Sequence, residues 1–164
     1  MVLADTNILS TFAKIDQLNL LIRLFAPERV GLVPAVYTEF QNGVDAGYTI
    51  LQTVIELVQQ GQFELTVPAS SEIFQKDNLP RSFDAGERET LCVAQSRSYP
   101  ILTNETQVKR WCERNGIAYW DLPGILRALW RMNFVSREQV QSLIEQIEAK
   151  DRIVFKNKEQ IFQE

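Results

Sequence analysis

Short apolar segments, each ended by a polar turn and followed by a helical pattern, constrain the fold of this chain most strongly. Residues 1–4 are wholly apolar and stop at Asp5, and residues 30–33 are followed by Pro34. Proline suits the first position of a helix, where its missing N–H leaves no hydrogen bond unmade. Brief apolar segments of this kind are typical of strands buried on both faces of a parallel sheet.

The same alternation continues along the chain. It predicts strands at residues 1–4, 30–33, 63–67, 101–103 and 117–120. Apolar spacings of three and four residues predict helices at 34–43, 48–60, 84–98, 104–115, 122–133 and 136–150, one or two more within 9–25, and one within 68–83. Strands that alternate with helices indicate a parallel sheet covered by helices on both faces, which is an α/β fold.

The chain contains no histidine, and this excludes several classes of enzyme. Ser-His-Asp and Cys-His nucleophilic sites, histidine-based nucleases and histidine-containing zinc sites all require it. The two cysteines, Cys92 and Cys112, do not form a CxxC pair and are predicted to be small buried apolar residues. If the chain is an enzyme, carboxylates with a hard cation such as Mg²⁺ or Mn²⁺ are the expected chemical agents.

Charge and hydropathy restrict the surroundings in which we expect the chain to work. No apolar run approaches the roughly 18 residues that a membrane helix needs, and residues 1–5 do not resemble a secretory signal. We therefore expect a cytoplasmic protein that has no membrane partner. The net charge of −4 does not by itself indicate a nucleic-acid-binding protein.

Acidic residues are predicted to meet at the carboxyl edge of the sheet, where parallel α/β folds bind ligands. Asp5 follows the first strand and Glu105 follows the fourth. Glu39 lies near the start of the helix after the second strand, and Glu87 lies in the first turn of the helix that precedes the fourth. Converging carboxylates repel one another, and a divalent cation among them would relieve that repulsion.

Each of these residues also has a purely structural explanation. Asp5 can cap the first helix, and Asp84 with Glu87 has the spacing of a capping box. Glu105 is favourable at a helix N-terminus because of the macrodipole, and Glu39 alone fits a solvated helix face. Only the placement of all four at one sheet edge favours a site.

Four segments together resemble the PIN domain family. They are 2–7 (VLADTN), 33–39 (VPAVYTE), 84–89 (DAGERE) and 102–105 (LTNE). Residues 116–117 and 122–128 further resemble the prokaryotic PIN subgroup in which a Gly-Glu motif supplies the third acidic residue. The order and spacing of the four segments carry the resemblance over most of the chain.

The resemblance implies a three-layer α/β/α sandwich with a mainly parallel central sheet of about five strands. Residues 1–150 would form a single domain, followed by a polar tail at 151–164. The catalytic and metal-ligating residues that it implies for Mg²⁺ or Mn²⁺ are Asp5, Glu39, Glu87 and Glu105, supported by Thr6, Asp84 and Asn104.

The resemblance also implies an activity and partners. Family members are typically metal-dependent ribonucleases that cleave single-stranded RNA, and many are toxins of VapBC-type toxin–antitoxin pairs. An antitoxin protein and a second copy of the chain are then candidate partners. Apolar residues within 18–25 and 50–58 could form such an interface or belong to the chain's own core.

Other functions remain open at this point. A non-catalytic PIN-like domain that binds RNA or protein is the main alternative, because Glu105 stands where the family usually has aspartate. A haloacid-dehalogenase-like phosphatase would need a second acid at Asn7, and a response-regulator receiver would need adjacent acids that the chain lacks.

Basic and aromatic residues beyond the four segments have two interpretations. Six cations could hold RNA phosphates: Arg81, Arg88, Arg97, Lys109, Arg110 and Arg114. For the last three of these, an exposed helix face is the simpler interpretation. Trp120 and Trp130 are predicted to belong to the core rather than to stack on bases.

Overall fold

The computed structural model describes all residues, 1–164, and contains five strands and ten α-helices. The strands are β1 (Val2–Ala4), β2 (Val30–Leu32), β3 (Glu64–Leu65), β4 (Ile101–Leu102) and β5 (Tyr119–Trp120). The helices are α1 (Thr6–Lys14), α2 (Leu18–Phe25), α3 (Pro34–Asp45), α4 (Gln52–Gln59), α5 (Ser70–Gln75), α6 (Ala85–Arg97), α7 (Thr106–Asn115), α8 (Leu122–Arg131), α9 (Arg137–Lys150) and α10 (Lys158–Ile161). Short 3₁₀ turns lie at Thr49–Leu51 and Lys76–Asn78.

The strands form one parallel sheet in the order β3-β2-β1-β4-β5, so the predicted sheet of five parallel strands is confirmed. Helices cover both faces, which gives the predicted three-layer α/β/α sandwich. The chain runs outward from β1 to β3 and then returns to the other side of β1. The reversal between β1 and β4 is therefore the topological switch point, where doubly wound sheets bind ligands.

Burial of the central strands holds this arrangement together. Leu3 in β1 and both residues of β4 are completely buried, as expected for strands covered on both faces. They belong to a single cluster of 41 buried apolar residues that also includes the apolar sides of the helices. The leucines of α2 are buried in this same core. Packing in the chain's own core therefore explains the apolar residues of 18–25 without an interface.

The last turns of the chain pack on α8. The indole N–H of Trp130 donates to the backbone oxygen of Ile161 at 2.7 Å, and the Arg137 guanidinium lies 4.2 Å from the Trp130 ring centroid. Lys158 pairs with Glu148 at 2.8 Å. A short helix, α10, thus lies within the segment predicted to be a polar tail.

Two sequence-based predictions are corrected by the structure. Trp120 was predicted to be in the core but is 38 % exposed, because β5 is an edge strand of two residues and covers only part of the ring. Trp120 instead packs edge-to-face on Phe25 at 5.6 Å. The helix predicted at 48–60 begins with a 3₁₀ turn, which leaves Tyr48 and Ile50 exposed.

None of the helices combines the length and apolar character required to cross a bilayer.

Gly31 in β2 allows β3 to approach closely. A Cβ at this position would lie 2.6 Å from Thr66 Oγ1, 2.9 Å from Met1 Sδ and 3.2 Å from the Glu64 backbone oxygen. Gly31→Ala should therefore lower the free energy of unfolding by about 1–3 kcal/mol, the usual cost of overpacking. Urea unfolding followed by circular dichroism measures this, and an unchanged midpoint would contradict the close packing of β2 on β3.

Candidate functional site

The candidate site lies at the switch point between β1 and β4. The Asp5 N–H donates to the Leu102 oxygen at 3.0 Å, so the residue after β1 is fixed beside the end of β4. The Thr103 N–H donates to the Trp120 oxygen at 2.9 Å and holds the β4 end against β5. The polar residues that follow β1 and β4 therefore face one crevice.

A small acidic cavity of about 60 Å³ occupies this crevice, and we call it the acidic pocket. Its walls include all four of the acidic residues predicted to converge, together with Thr6 and Asp84. The complete lining is Asp5, Thr6, Asn7, Val36, Glu39, Asp84, Gly86, Glu87 and Glu105. No lysine or arginine lines the pocket, so its carboxylates lack the cationic partner that normally compensates clustered negative charge.

Asp5 is the most buried acidic residue of the pocket, with 5 % of its surface exposed. Its Oδ1 caps α1 by accepting the Ile8 N–H at 2.9 Å, whereas its Oδ2 is buried without any hydrogen-bond partner. Burial raises the pKa of Asp5 to about 7, and the charges of Glu105 and Glu87 add to the rise. Asp5 therefore both caps a helix and leaves one buried carboxylate oxygen unsatisfied.

Glu39 reaches the pocket from α3 and is oriented by its neighbours. The Thr6 hydroxyl donates to Glu39 Oε2. A Cβ on Gly86 would lie 2.5 Å from Glu39 Oε1 and 3.1 Å from Val36, so glycine at this position lets α6 approach α3. Burial raises the pKa of Glu39, and the charge of Asp84 contributes.

Glu87 and Asp84 form the capping box that the sequence predicts for α6. The Glu87 N–H donates to Asp84 Oδ1 at 2.8 Å, and the Asp84 N–H donates to Glu87 Oε2 at 2.9 Å. Both residues line the pocket as well, so each of them caps α6 and also belongs to the pocket wall. Burial raises the pKa of Glu87, with further contributions from Asp84, Glu105 and Glu39.

Glu105 completes the pocket from the end of β4. Its Oε1 accepts the Asn7 side-chain amide, and its N–H donates to Thr103 Oγ1 at 3.2 Å. It forms no ion pair, and the ion pair of Lys109 nearby is made with Asp121 at 3.4 Å. Glu105 thus stays available at the pocket wall.

Asn104, predicted as a supporting residue, lies outside the pocket lining. Its Oδ1 accepts the Leu122 N–H at 3.4 Å at the start of α8, and its side chain lines an adjacent depression instead. Three residues of the site were not singled out from the sequence as site residues: Asn7, Gly86 and Thr103. Asn7 alone carried a usable signal, because it follows Asp5 by two residues at the end of a strand.

The donor set of the pocket fits a hard divalent cation. Carboxylate and hydroxyl oxygens are the ligands that Mg²⁺ and Mn²⁺ prefer, and the unpartnered Oδ2 of Asp5 lacks a positive partner. No three acidic or cysteine side chains are spaced as ready-made ligands of a single ion.

Comparison with known proteins identifies the family. A family model described as a PIN domain matches residues 1–161. No curated protein and no solved structure matches the chain at a significant level. PIN domains are generally nucleases that use divalent metal ions, so family membership indicates nuclease-type hydrolase chemistry. The match over nearly the whole sequence, together with the parallel sheet and its acidic edge, shows that the chain belongs to the PIN domain family.

Proposed function

We propose that this protein is a Mg²⁺- or Mn²⁺-dependent endoribonuclease that hydrolyses phosphodiester bonds of single-stranded RNA at the acidic pocket. The observation that carries the proposal is the buried Asp5 Oδ2, which has no partner in a pocket lined by three glutamates and no cation. A buried anion in this state needs a proton or a bound cation to compensate its charge.

The four carboxylates have different roles in this proposal. Asp5 and Glu105 would hold the cation, because they follow the two central strands directly. When bound, the cation polarises a phosphate oxygen and lowers the pKa of a water. Glu39 and Glu87 would hold the cation or orient the attacking water, and their raised pKa values suit a group that accepts its proton.

Neutral side chains would keep these carboxylates in place. Thr6 donates to Glu39 and Asn7 donates to Glu105, and each bond fixes one carboxylate oxygen. The motif resemblance to toxins of toxin–antitoxin pairs supports a cellular role as such a toxin, with an antitoxin protein as partner.

Asp5→Asn should abolish metal-dependent RNA cleavage. The substitution keeps an oxygen that can cap α1 but removes the buried negative charge, so we expect cleavage to fall by about 10²-fold or more. Cleavage of a labelled single-stranded RNA in Mn²⁺ measures this, with circular dichroism to show that the fold persists.

Asp16→Asn is the matched control for that substitution. Asp16 is exposed, lies beyond the other end of α1, and has a φ of 56° that asparagine also tolerates. Its cleavage rate should equal that of the native protein. Equal rates in both variants would remove Asp5 from the site, and RNA binding without Mn²⁺-dependent products in the native protein would favour the non-catalytic alternative.

Gly86→Ala should damage the site without damaging the fold. Alanine is the better helix former by about 1 kcal/mol, which offsets much of the steric cost, but its methyl group displaces the Glu39 carboxylate. Cleavage should fall by roughly 10–100-fold with a change of at most about 1 kcal/mol in unfolding free energy. If Gly86 acts through Glu39, the double variant with Glu39→Gln should lose no more activity than Glu39→Gln alone; additive losses would contradict this.

Without metal, the free energy of unfolding of the native protein should fall relative to that of the Asp5→Asn variant as the pH rises. An aspartate has a pKa near 3.9 when unfolded, and Asp5 has a pKa of about 7 when folded, so native Asp5 contributes stability below about pH 4. That contribution is lost as the pH rises through about 7. Thermal unfolding of both proteins at several pH values, with and without Mg²⁺, measures the difference. Bound Mg²⁺ should abolish the dependence, and parallel curves without metal would contradict it.

A further inference from the structure

Two further depressions continue from the acidic pocket along α1. The middle depression, of about 280 Å³, shares Asn7 and Glu105 with the acidic pocket. The outer depression, of about 530 Å³, shares Lys14 and Asp151 with the middle one. Each depression shares wall residues with the next, and we call the three together the α1 groove.

The charge of the α1 groove reverses from one end to the other. The acidic pocket has no cation, and the middle depression combines two carboxylates and one lysine with polar groups such as those of Ser10 and Asn104. The outer depression contains Lys14, Lys150 and Arg152 against a single carboxylate, Asp151. The positive end therefore lies at one side of the cleavage site in an acidic protein.

The cations of the outer depression differ in whether they form an ion pair with an acidic residue. Lys14 pairs with Asp151 at 2.5 Å, and the Thr11 hydroxyl donates to the same carboxylate. Lys150 and Arg152 are exposed and have no acidic partner within ion-pair distance. We call these two residues the basic rim. They remain available for an anion of a ligand, whereas Asp151 is already compensated by Lys14.

Arg152 is one of four non-glycine residues in this chain that adopt a positive φ. Arg152 follows the last residue of α9 and its cap, Asp151, with a φ of 55° in the left-handed region. Glycine is the usual residue at this helix-ending position, because it adopts the conformation without steric cost. The chain carries an arginine where a glycine would be less strained.

An aromatic ring stands opposite the basic rim. Tyr48 lines the outer depression and is 65 % exposed, in the turn between α3 and α4. Exposed aromatic rings beside cations are the usual platform for unpaired bases, since each base can stack while its phosphate is held. The outer depression thus combines the two chemical groups that bind single-stranded nucleic acid.

We propose that single-stranded RNA leaves the acidic pocket along the α1 groove, with its phosphates on the basic rim and a base on Tyr48. This rests on the proposed nuclease function. Asn7 and Lys14 are separated by seven residues of α1, about 10 Å of helix, so the rim contacts nucleotides beyond those at the cleaved bond. The rim therefore determines the affinity for longer RNA and leaves the chemical step unchanged.

RNA binding in EDTA tests the groove separately from cleavage. The probe is a labelled oligouridylate of about a dozen nucleotides, measured by fluorescence anisotropy at increasing salt. Lys150→Gln with Arg152→Gln should weaken binding at low salt by about tenfold and reduce the slope of log K against log salt by about 1.4, which corresponds to two phosphate contacts. Tyr48→Ala should weaken binding without changing the slope.

Arg152→Gly separates the effect of the side-chain charge on RNA binding from any effect on the stability of the fold. Since glycine relieves the left-handed backbone, the melting temperature should stay the same or rise while the RNA affinity falls. Arg152→Lys should restore part of the affinity as a point charge. Arg131→Gln is the control, because Arg131 is exposed and lines none of the three depressions, and the affinity of this variant should match that of the native protein.

The outcomes distinguish the groove from the nuclease function. If the rim variants bind and cleave the long oligonucleotide like the native protein, the proposed RNA path is wrong. A basic rim that binds an acidic protein segment instead of RNA would give this unchanged binding and cleavage. With Mn²⁺, the rim variants should show a raised KM for the long oligonucleotide, an unchanged kcat, and unchanged cleavage of a dinucleotide. Absence of cleavage by the native protein, with rim-dependent binding retained, would overturn the nuclease function and leave the groove as an RNA-binding surface.

Discussion

The unsatisfied half of the Asp5 carboxylate is the constraint on which the site depends. One oxygen is used to start α1, and the other is buried without a donor. Hydrogen bonds from the Ile8 N–H and the Thr103 side chain do not offset the cost of removing the Asp5 carboxylate from water, so its pKa rises to about 7. The fold thus leaves a charge that a proton or a cation must compensate, and the charges of the nearby Glu105 and Glu87 increase the attraction for either of them.

The sheet topology creates this constraint. β1 is central, so the residue that follows it is covered from both sides, and the chain reverses direction between β1 and β4. Asp5 and Glu105 are brought together by this reversal, although a hundred residues separate them in sequence. The capping of α1 and α6 uses three of the pocket acids, Asp5, Asp84 and Glu87, so the same side chains stabilise helices and line the pocket. A structural explanation of an acidic residue therefore does not exclude a functional one.

The sequence predicted the parallel sheet and the convergence of four acids because both follow from local rules. Strand ends and helix starts are readable in short segments, and parallel strands share one carboxyl edge. Gly86 was missed because its importance depends on Glu39, which reaches it from another helix. Asn104 accepts the Leu122 N–H and does not line the pocket, and Trp120 is only partly covered because it lies in an edge strand. These features depend on distances between elements, to which no periodicity in the sequence corresponds.

The proposed function requires that an acidic pocket in an acidic protein receive a polyanion. Coulomb repulsion at close range exceeds what a distant basic residue can offset, so the cation in the pocket must compensate the carboxylates locally. At distances greater than about 8 Å, salt screens the negative charge of the pocket. Exposed cations at such a distance therefore attract phosphates independently of the pocket. Separating the acids from Lys150 and Arg152 along α1 avoids ion pairs between them, which would neutralise both the proposed metal ligands and the proposed phosphate-binding groups. The length of α1 thereby keeps both charges available on the proposed RNA path.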